Sequence, residues 1–152
     1  MKITSNAFEE GEMIPKKYTC EGEDVSPKLE ISDPPLGTMC YALIIVDPDA
    51  PTEDFVHWLL WNIQPDIEEI MEGTAPIGSI EGANDFGRPG WGGPCPPSGV
   101  HRYEFHLYAL DRTIELPPMS EKNELRSLIK DYILEEATLV GTYQKQAEET
   151  IL

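Results

Sequence analysis

Cys40-Tyr41-Ala42-Leu43-Ile44-Ile45-Val46 is an almost unbroken apolar run, and Asp47-Pro48-Asp49-Ala50-Pro51 follows it directly. A run without polar alternation is expected of a strand buried on both faces. The strand has to stop at Asp47-Pro48, because proline has no N–H to give to a ladder.

Working outward, Val56–Ile63 reads as the next strand. Regular alternation would put His57, Leu59, Trp61 and Ile63 on one face, and Val56, Trp58, Leu60 and Asn62 on the other. His101–Leu110 reads as a third strand, with His101, Tyr103, Phe105, Leu107 and Ala109 sharing a face. Met1–Ala7 suggests a short strand, and Lys28-Leu29-Glu30-Ile31 alternates before Pro34-Pro35 closes it. Gln64 to Gly99 is a long irregular stretch rich in glycine and proline, of the kind that often carries function. Near the C-terminus, Leu125, Leu128, Ile129, Tyr132 and Ile133 form a helical stripe. The pattern predicts a helix over about Glu121–Glu136, with Ser120 as N-cap. Leu139–Tyr143 closes as a strand, and the acidic tail beyond is expected to fray. The sum is a mainly β, antiparallel fold with one or two helices near the C-terminus, in one domain over residues 1–152.

Composition narrows the function classes. Eleven basic residues face 28 acidic ones, for a formal net charge of −17. Nucleic acid and anionic lipid would be repelled over most of such a surface, so neither is expected as a partner. No apolar run approaches the ~20 residues of a membrane span, so membrane insertion is not expected. Met1–Ala7 does not read as a secretory leader. Cys20, Cys40 and Cys95 are odd in number and form no C-x-x-C. That pattern points to reduced thiols in a cytoplasmic protein, rather than to a disulfide framework or structural zinc.

Three fragments place polar and ring-bearing side chains at strand mouths: Asp47–Pro51, Phe55-Val56-His57-Trp58, and Gly93–Tyr103 with its prolines. Strand mouths are where folds tend to build ligand sites. A carboxylate such as Asp47, bonded to one nitrogen of an imidazole, would fix the tautomer of the ring. Taken one at a time, each fragment also has an ordinary structural reading. Asp47–Pro51 can be a rigid turn, His57 a satisfied core histidine, and Arg102 the partner of Glu104 on its strand face. Two histidines and a carboxylate suit a metal, but no helix carries histidines four apart, and His101 and His106 point to opposite faces. No metal or other cofactor is expected. Gly-x-Ser-x-Gly and phosphate-loop patterns are missing. Cys95 is six residues from His101, which reads as a small residue in a proline loop rather than as a nucleophile.

Read together, Asp47-Pro48-Asp49-Ala50-Pro51, His57-Trp58, and Gly93-Pro94-Cys95-Pro96-Pro97-Ser98-Gly99-Val100-His101-Arg102-Tyr103 resemble the phosphatidylethanolamine-binding protein family, also called Raf kinase inhibitor-like proteins. Tyr18–Pro27 and Ala137–Tyr143 are similar to its short prokaryotic branch. The resemblance covers nearly the whole chain. It implies a β-sandwich-like arrangement around a large antiparallel sheet, with a small anion pocket at one end. Carried onto this sequence, it implies that Asp47, Asp49, Pro51, His57, Pro94, His101 and Tyr103 line the pocket. Phe55 would be a pocket aromatic, and the Ala50–Pro51 bond a candidate for cis. Cys95 departs from the family's paired prolines. The long C-terminal helix of the animal members is missing, which implies a more open pocket. The resemblance implies a binding or regulatory protein rather than an enzyme, taking phosphate, a phosphorylated headgroup or a carboxylate. Inhibition of a serine protease or kinase, through the Gln64–Gly99 loop, is an alternative. An unrecognised hydrolase-type enzyme using the His/Asp/Tyr cluster is another. Prokaryotic relatives often form homodimers.

Overall fold

A computed structural model of the chain describes residues 1–146. The tail expected to fray lies largely outside them, at 147–152. The architecture is mainly β, with two antiparallel sheets. The larger sheet contains β3 (Cys40–Asp47), β4 (Phe55–Ile63), β6 (Ile80–Glu81), β7 (His101–Leu110) and β8 (Ile133–Tyr143), in spatial order β6-β4-β3-β7-β8. The smaller contains β1 (Lys2–Thr4), β2 (Leu29–Ser32) and β5 (Glu69–Ile70), in the order β1-β2-β5. The one α-helix among the described residues, α1 (Lys122–Ile129), covers the other face of the large sheet.

This layering explains the apolar run at β3, every residue of which is buried. Tyr41, Leu43 and Ile45 face the small sheet and join Ile3, Leu29, Ile31 and Ile70 in one core. Cys40, Ala42, Ile44 and Val46 face the helix and join Leu125 and Ile129 in a second core. A strand sandwiched between two layers cannot alternate polar and apolar residues.

Strand β4 departs from regular alternation. Ile45 pairs with Trp58 but Val46 with Val56, which leaves His57 as the extra residue of a bulge. A second bulge lies between the Leu43–Leu60 and Tyr41–Ile63 pairs, where Asn62 takes a φ of 53°. The Asn62 side chain donates to Ile114 O at 2.8 Å and accepts from Ile114 N at 2.9 Å, fixing the chain after β7. Val56, Leu59 and Trp61 therefore face the helix, and Trp58, Leu60 and Ile63 face the small sheet.

The helix is shorter than its stripe predicts. Glu121, not Ser120, is the N-cap, and it forms a capping box with Glu124. Ser120 instead donates to Pro117 O at 2.7 Å. The helix stops at Ile129, and residues from Ile133 onward pair with β7. Tyr132 and Ile133 still pack on the helix-side core, so the apolar spacing outlasts the helix itself. Pairing with a long neighbouring strand outweighs local helical preference here.

Residues 10–14 run beside the C-terminal half of β8. Gly11 N donates to Val140 O and Ile14 N to Thr142 O, both at 2.7 Å, and Thr142 N donates to Glu12 O at 2.9 Å. The Glu10 carboxylate accepts from Val140 N at 2.8 Å. No helix among the described residues is long and apolar enough to cross a membrane.

Candidate functional site

Strand β3 is flanked by antiparallel neighbours on both sides, so its exit lies beside the entrances of β4 and β7. That topology brings the three fragments together. They enclose a cavity of about 200 Å³. Asp47, Ala50 and Pro51 come from the β3 exit, Phe55 and His57 from β4, and His101 and Tyr103 from β7. Phe86, Cys95, Pro96 and Pro97 come from the long connection and complete a mostly apolar wall.

The bulge at His57 sets the ring against Tyr103, with centroids 5.1 Å apart and nearly perpendicular planes. Nδ1 of His57 donates to Gly92 O at 2.5 Å. Burial pushes the proton affinity of His57 below the ordinary imidazole value. On the opposite wall, Nδ1 of His101 lies 2.6 Å from Asp47 Oδ2. The other Asp47 oxygen accepts from Asp49 N at 2.8 Å, which ties the turn to the carboxylate. Tyr103 is buried, and its hydroxyl has no hydrogen-bond partner among the described residues. The backbone of Cys95 lies beside it without reaching hydrogen-bond geometry. Burial raises the phenol above its ordinary value, so it remains a neutral donor.

Five of the seven residues expected from the sequence line this cavity: Asp47, Pro51, His57, His101 and Tyr103. Asp49 and Pro94 lie outside the lining. Asp49 accepts from Arg102 through its backbone N at 2.8 Å, its Nε at 3.0 Å and one terminal nitrogen at 2.9 Å. That pairing pulls the Asp49 carboxyl down to about 2. Arg102 therefore pairs across strands with Asp49, while Glu104 faces His106 at 3.3 Å. Pro94 is buried behind the wall, where its carbonyl accepts from Cys20 N at 3.2 Å. The Ala50–Pro51 bond is trans, and no cis peptide occurs among the described residues.

The cysteines correct the expectation of reduced thiols. Cys20 and Cys95 form a disulfide, with Cα atoms 5.5 Å apart across 75 positions of sequence. Cys40 alone is free, and it is buried. The bond fastens the Cys95–Pro97 wall to the segment after the 3-10 turn at Lys16–Tyr18. Trp91 Nε1 donates to Tyr18 O at 3.1 Å, and Gly93 N to Asp24 Oδ1 at 2.8 Å, across the same seam. Gly93 has to be glycine, because a Cβ there would run into Tyr18 O and the Asp24 carboxylate.

Phe86 is the lining residue that strand pattern does not predict, whereas Pro96 and Pro97 belong to the proline-bearing Gly93–Tyr103 fragment. Phe86 packs edge-on to Phe55 at 4.9 Å and to His57 at 5.6 Å. Asn84 holds it there by accepting from Phe86 N at 2.9 Å, and Asp85 accepts from Val56 N at 2.7 Å. The only sequence cue is the turn-forming Asn84-Asp85 pair ahead of an aromatic. No group of three or more His, Cys, Asp or Glu side chains among the described residues is arranged to hold a metal ion.

Comparison with known proteins agrees with this geometry in kind. The sequence profile of the phosphatidylethanolamine-binding protein family matches residues 4–144. A UPF0098 protein of Methanothermobacter thermautotrophicus is 43% identical over 150 residues, covering 95% of this chain and 99% of that protein. A UPF0098 protein of Pyrococcus abyssi is 44% identical over 155 residues, covering 96% and 86%. Among solved structures, CT736 of Chlamydia trachomatis, described as a phosphatidylethanolamine-binding protein homologue, superposes with a TM-score of 0.92 at 37% identity, covering 95% and 97%. YbcL of E. coli, described as a new member of the mammalian family, gives 0.90 at 30%, covering 95% and 98%. The two-sheet architecture, the strand-mouth cavity and these matches together show that the chain belongs to the phosphatidylethanolamine-binding protein family.

Proposed function

We propose that the chain is a binding protein whose cavity takes a small anion, a phosphoryl or carboxylate group. One observation carries this reading: the Tyr103 hydroxyl is buried in the cavity wall, which two imidazoles also line, and has no partner among the described residues. A buried polar group without a partner costs about 1–3 kcal/mol, and a ligand oxygen accepting its hydrogen would remove that penalty. The cavity suits a headgroup rather than a large molecule. The apolar Phe55, Phe86, Pro96 and Pro97 would hold the carbon part of such a ligand.

The reading is tested by titrating the protein with inorganic phosphate and with phosphorylethanolamine while following the ring signals of His57 and His101 by NMR. Both rings are expected to shift. Unmoved signals at millimolar ligand would sink the proposal. His57 and His101 with Asp47 also resemble an acid–base set, but binding rather than turnover is proposed. Hydrolysis of a phosphoester panel that disappears in His57→Ala would reverse that choice.

A second reading, inhibition of a protease or kinase by protein contact, is favoured by the connection between β4 and β7. Ile77 is 91% exposed there, and Met71 and Phe86 are exposed as well. Loss of inhibition in Ile77→Asp would support it, and no inhibition at large molar excess would end it. Location belongs to the same proposal. A cytoplasmic site rests on reduced thiols, and the Cys20–Cys95 bond removes that support. Such bonds persist in oxidising compartments and in the cytosol of hyperthermophiles. Thiol labelling of protein taken directly from its source cells decides whether the bond exists there.

A further inference from the structure

The two imidazoles share an unusual constraint. Each already uses Nδ1 toward an acceptor that carries no hydrogen: the Gly92 carbonyl for His57 and the Asp47 carboxylate for His101. The proton of each ring is therefore on Nδ1. In the neutral ring, Nε2 is then a lone pair, an acceptor rather than a donor. A bare oxyanion entering the cavity would meet two such lone pairs and one real donor, the Tyr103 hydroxyl.

The charges around the cavity sharpen the conflict. No Lys or Arg lines it, whereas Asp47 does. Asp85, which accepts from Val56 N, and Asp24, which accepts from Gly93 N, add negative charge near His57. On the β7 side, the cation in reach is Arg102, and it is bonded to Asp49. Tyr103, from the same strand, is neutral. A further negative charge would enter a mostly apolar space that already holds a carboxylate, with no fixed positive charge to offset it. Burial keeps His57 neutral near pH 7, so the ring does not supply that charge in advance.

We propose that the pocket binds its oxyanion together with one proton. This rests on the anion-pocket reading above and specifies the ligand form. The proton arrives either on the ligand, as in a phosphate monoester monoanion or a carboxylic acid, or from solvent onto Nε2 of one imidazole. In the first case the ligand O–H donates to an Nε2 lone pair. In the second a new Nε2–H bond forms, and the imidazolium donates to the anion. Either way the pocket takes on one negative charge fewer than it would with the fully deprotonated anion, and both the Tyr103 hydroxyl and an Nε2 of the two imidazoles gain a partner. The surrounding carboxylates favour the proton in both cases.

The test is calorimetry on the full chain at pH 5 to 8, with inorganic phosphate and with sulfate, in buffers of different ionisation enthalpy. Sulfate carries no proton in this range, so it isolates uptake by the ring. If the ring takes the proton, uptake of about one proton per bound sulfate is expected, with an affinity that falls about tenfold per pH unit above the free histidine value; if the ligand carries it, uptake and the same fall appear for phosphate only above the pH at which the free phosphate monoanion ionises. Proton-linked phosphate binding with no sulfate binding would assign the proton to the ligand. Binding of both with uptake would assign it to an imidazole. The 15N shifts of His57 and His101 Nε2 in the complex give the same assignment without any mutation. Binding with no proton uptake and no pH dependence would overturn this inference while leaving the anion pocket standing. Absence of binding by either anion at every pH would overturn both.

Discussion

Replacing Cys20 and Cys95 together by serine removes the one covalent link between the proline wall of the cavity and the N-terminal segment. The loop it closes spans a sequence separation of 75. Chain-entropy reasoning puts the restriction of the unfolded state at about 4.5 kcal/mol at 25 °C for a loop of that length. The native geometry does not depend on the link alone. Cys20 N to Pro94 O, Trp91 Nε1 to Tyr18 O and Gly93 N to Asp24 Oδ1 cross the same seam. The folded state of the double variant should therefore survive, and the loss should come from the unfolded chain. Denatured chains retain some compactness, which reduces the effect, so about 3–4 kcal/mol is expected. Urea unfolding of the oxidised protein and the Cys20→Ser/Cys95→Ser variant measures this directly. At an m value of about 2 kcal/mol/M, the midpoint should fall by roughly 1.5–2 M. The histidine ring signals of the folded variant should stay close to those of the parent. An unchanged midpoint would refute the reasoning. A variant that folds but has lost the His57 environment would show that the seam bonds cannot hold the wall by themselves.

Other perturbations follow from single contacts. Tyr103→Phe removes a buried hydroxyl that has no partner among the described residues, so denaturant stability should stay level or rise by up to about 1 kcal/mol, while phosphate affinity drops at least roughly tenfold. The same variant thus separates ligand contact from packing. The Asp49 carboxyl, held at about 2 against an ordinary 3.8 by Arg102, contributes stability above pH 4 that is lost as pH falls toward 2. A carboxyl titration by NMR should find Asp49 low in the parent and near its ordinary value in Arg102→Met. Asn62→Ala deletes both bonds to Ile114 and leaves a non-glycine residue at a φ of 53° without its anchoring amide. It should cost about 2–4 kcal/mol in thermal or urea unfolding, and Asn62→Gly should recover part of that loss.

The extent to which the fold was legible depended on the range of the signal. The β3 run and the β7 alternation are local, and both strands occur where the residues predict them. Residue types at three strand mouths were enough to suggest a shared pocket, because antiparallel neighbours of β3 must open beside its exit. Alternation in β4 failed at His57 and Asn62, since a bulge adds a residue without altering composition. The helix was overextended because Tyr132 and Ile133 serve the same core from a strand. The Cys20–Cys95 pair was invisible, as nothing local relates residues 75 apart. Asp49 is close to the pocket in sequence, yet Arg102 turns its carboxylate away, a cross-strand pairing that spacing within one strand could not indicate.

The segment that runs beside β8 bears on how the protein stays dispersed. An eleven-residue strand at the margin of a sheet is a ready template for a neighbouring chain to add onto. Residues 10–14 occupy the hydrogen-bonding positions along its C-terminal half, and the other half carries Glu135 and Glu136. At the opposite margin, β6 offers two residues. Strand-on-strand growth into fibrils is thus blocked at one end by the chain's own backbone and discouraged elsewhere by charge and shortness. Gly11→Pro, which removes the N–H given to Val140 O and cannot take the φ of 80°, would loosen that cover with β1 left in place, and thioflavin-positive assembly of the variant would be the visible sign.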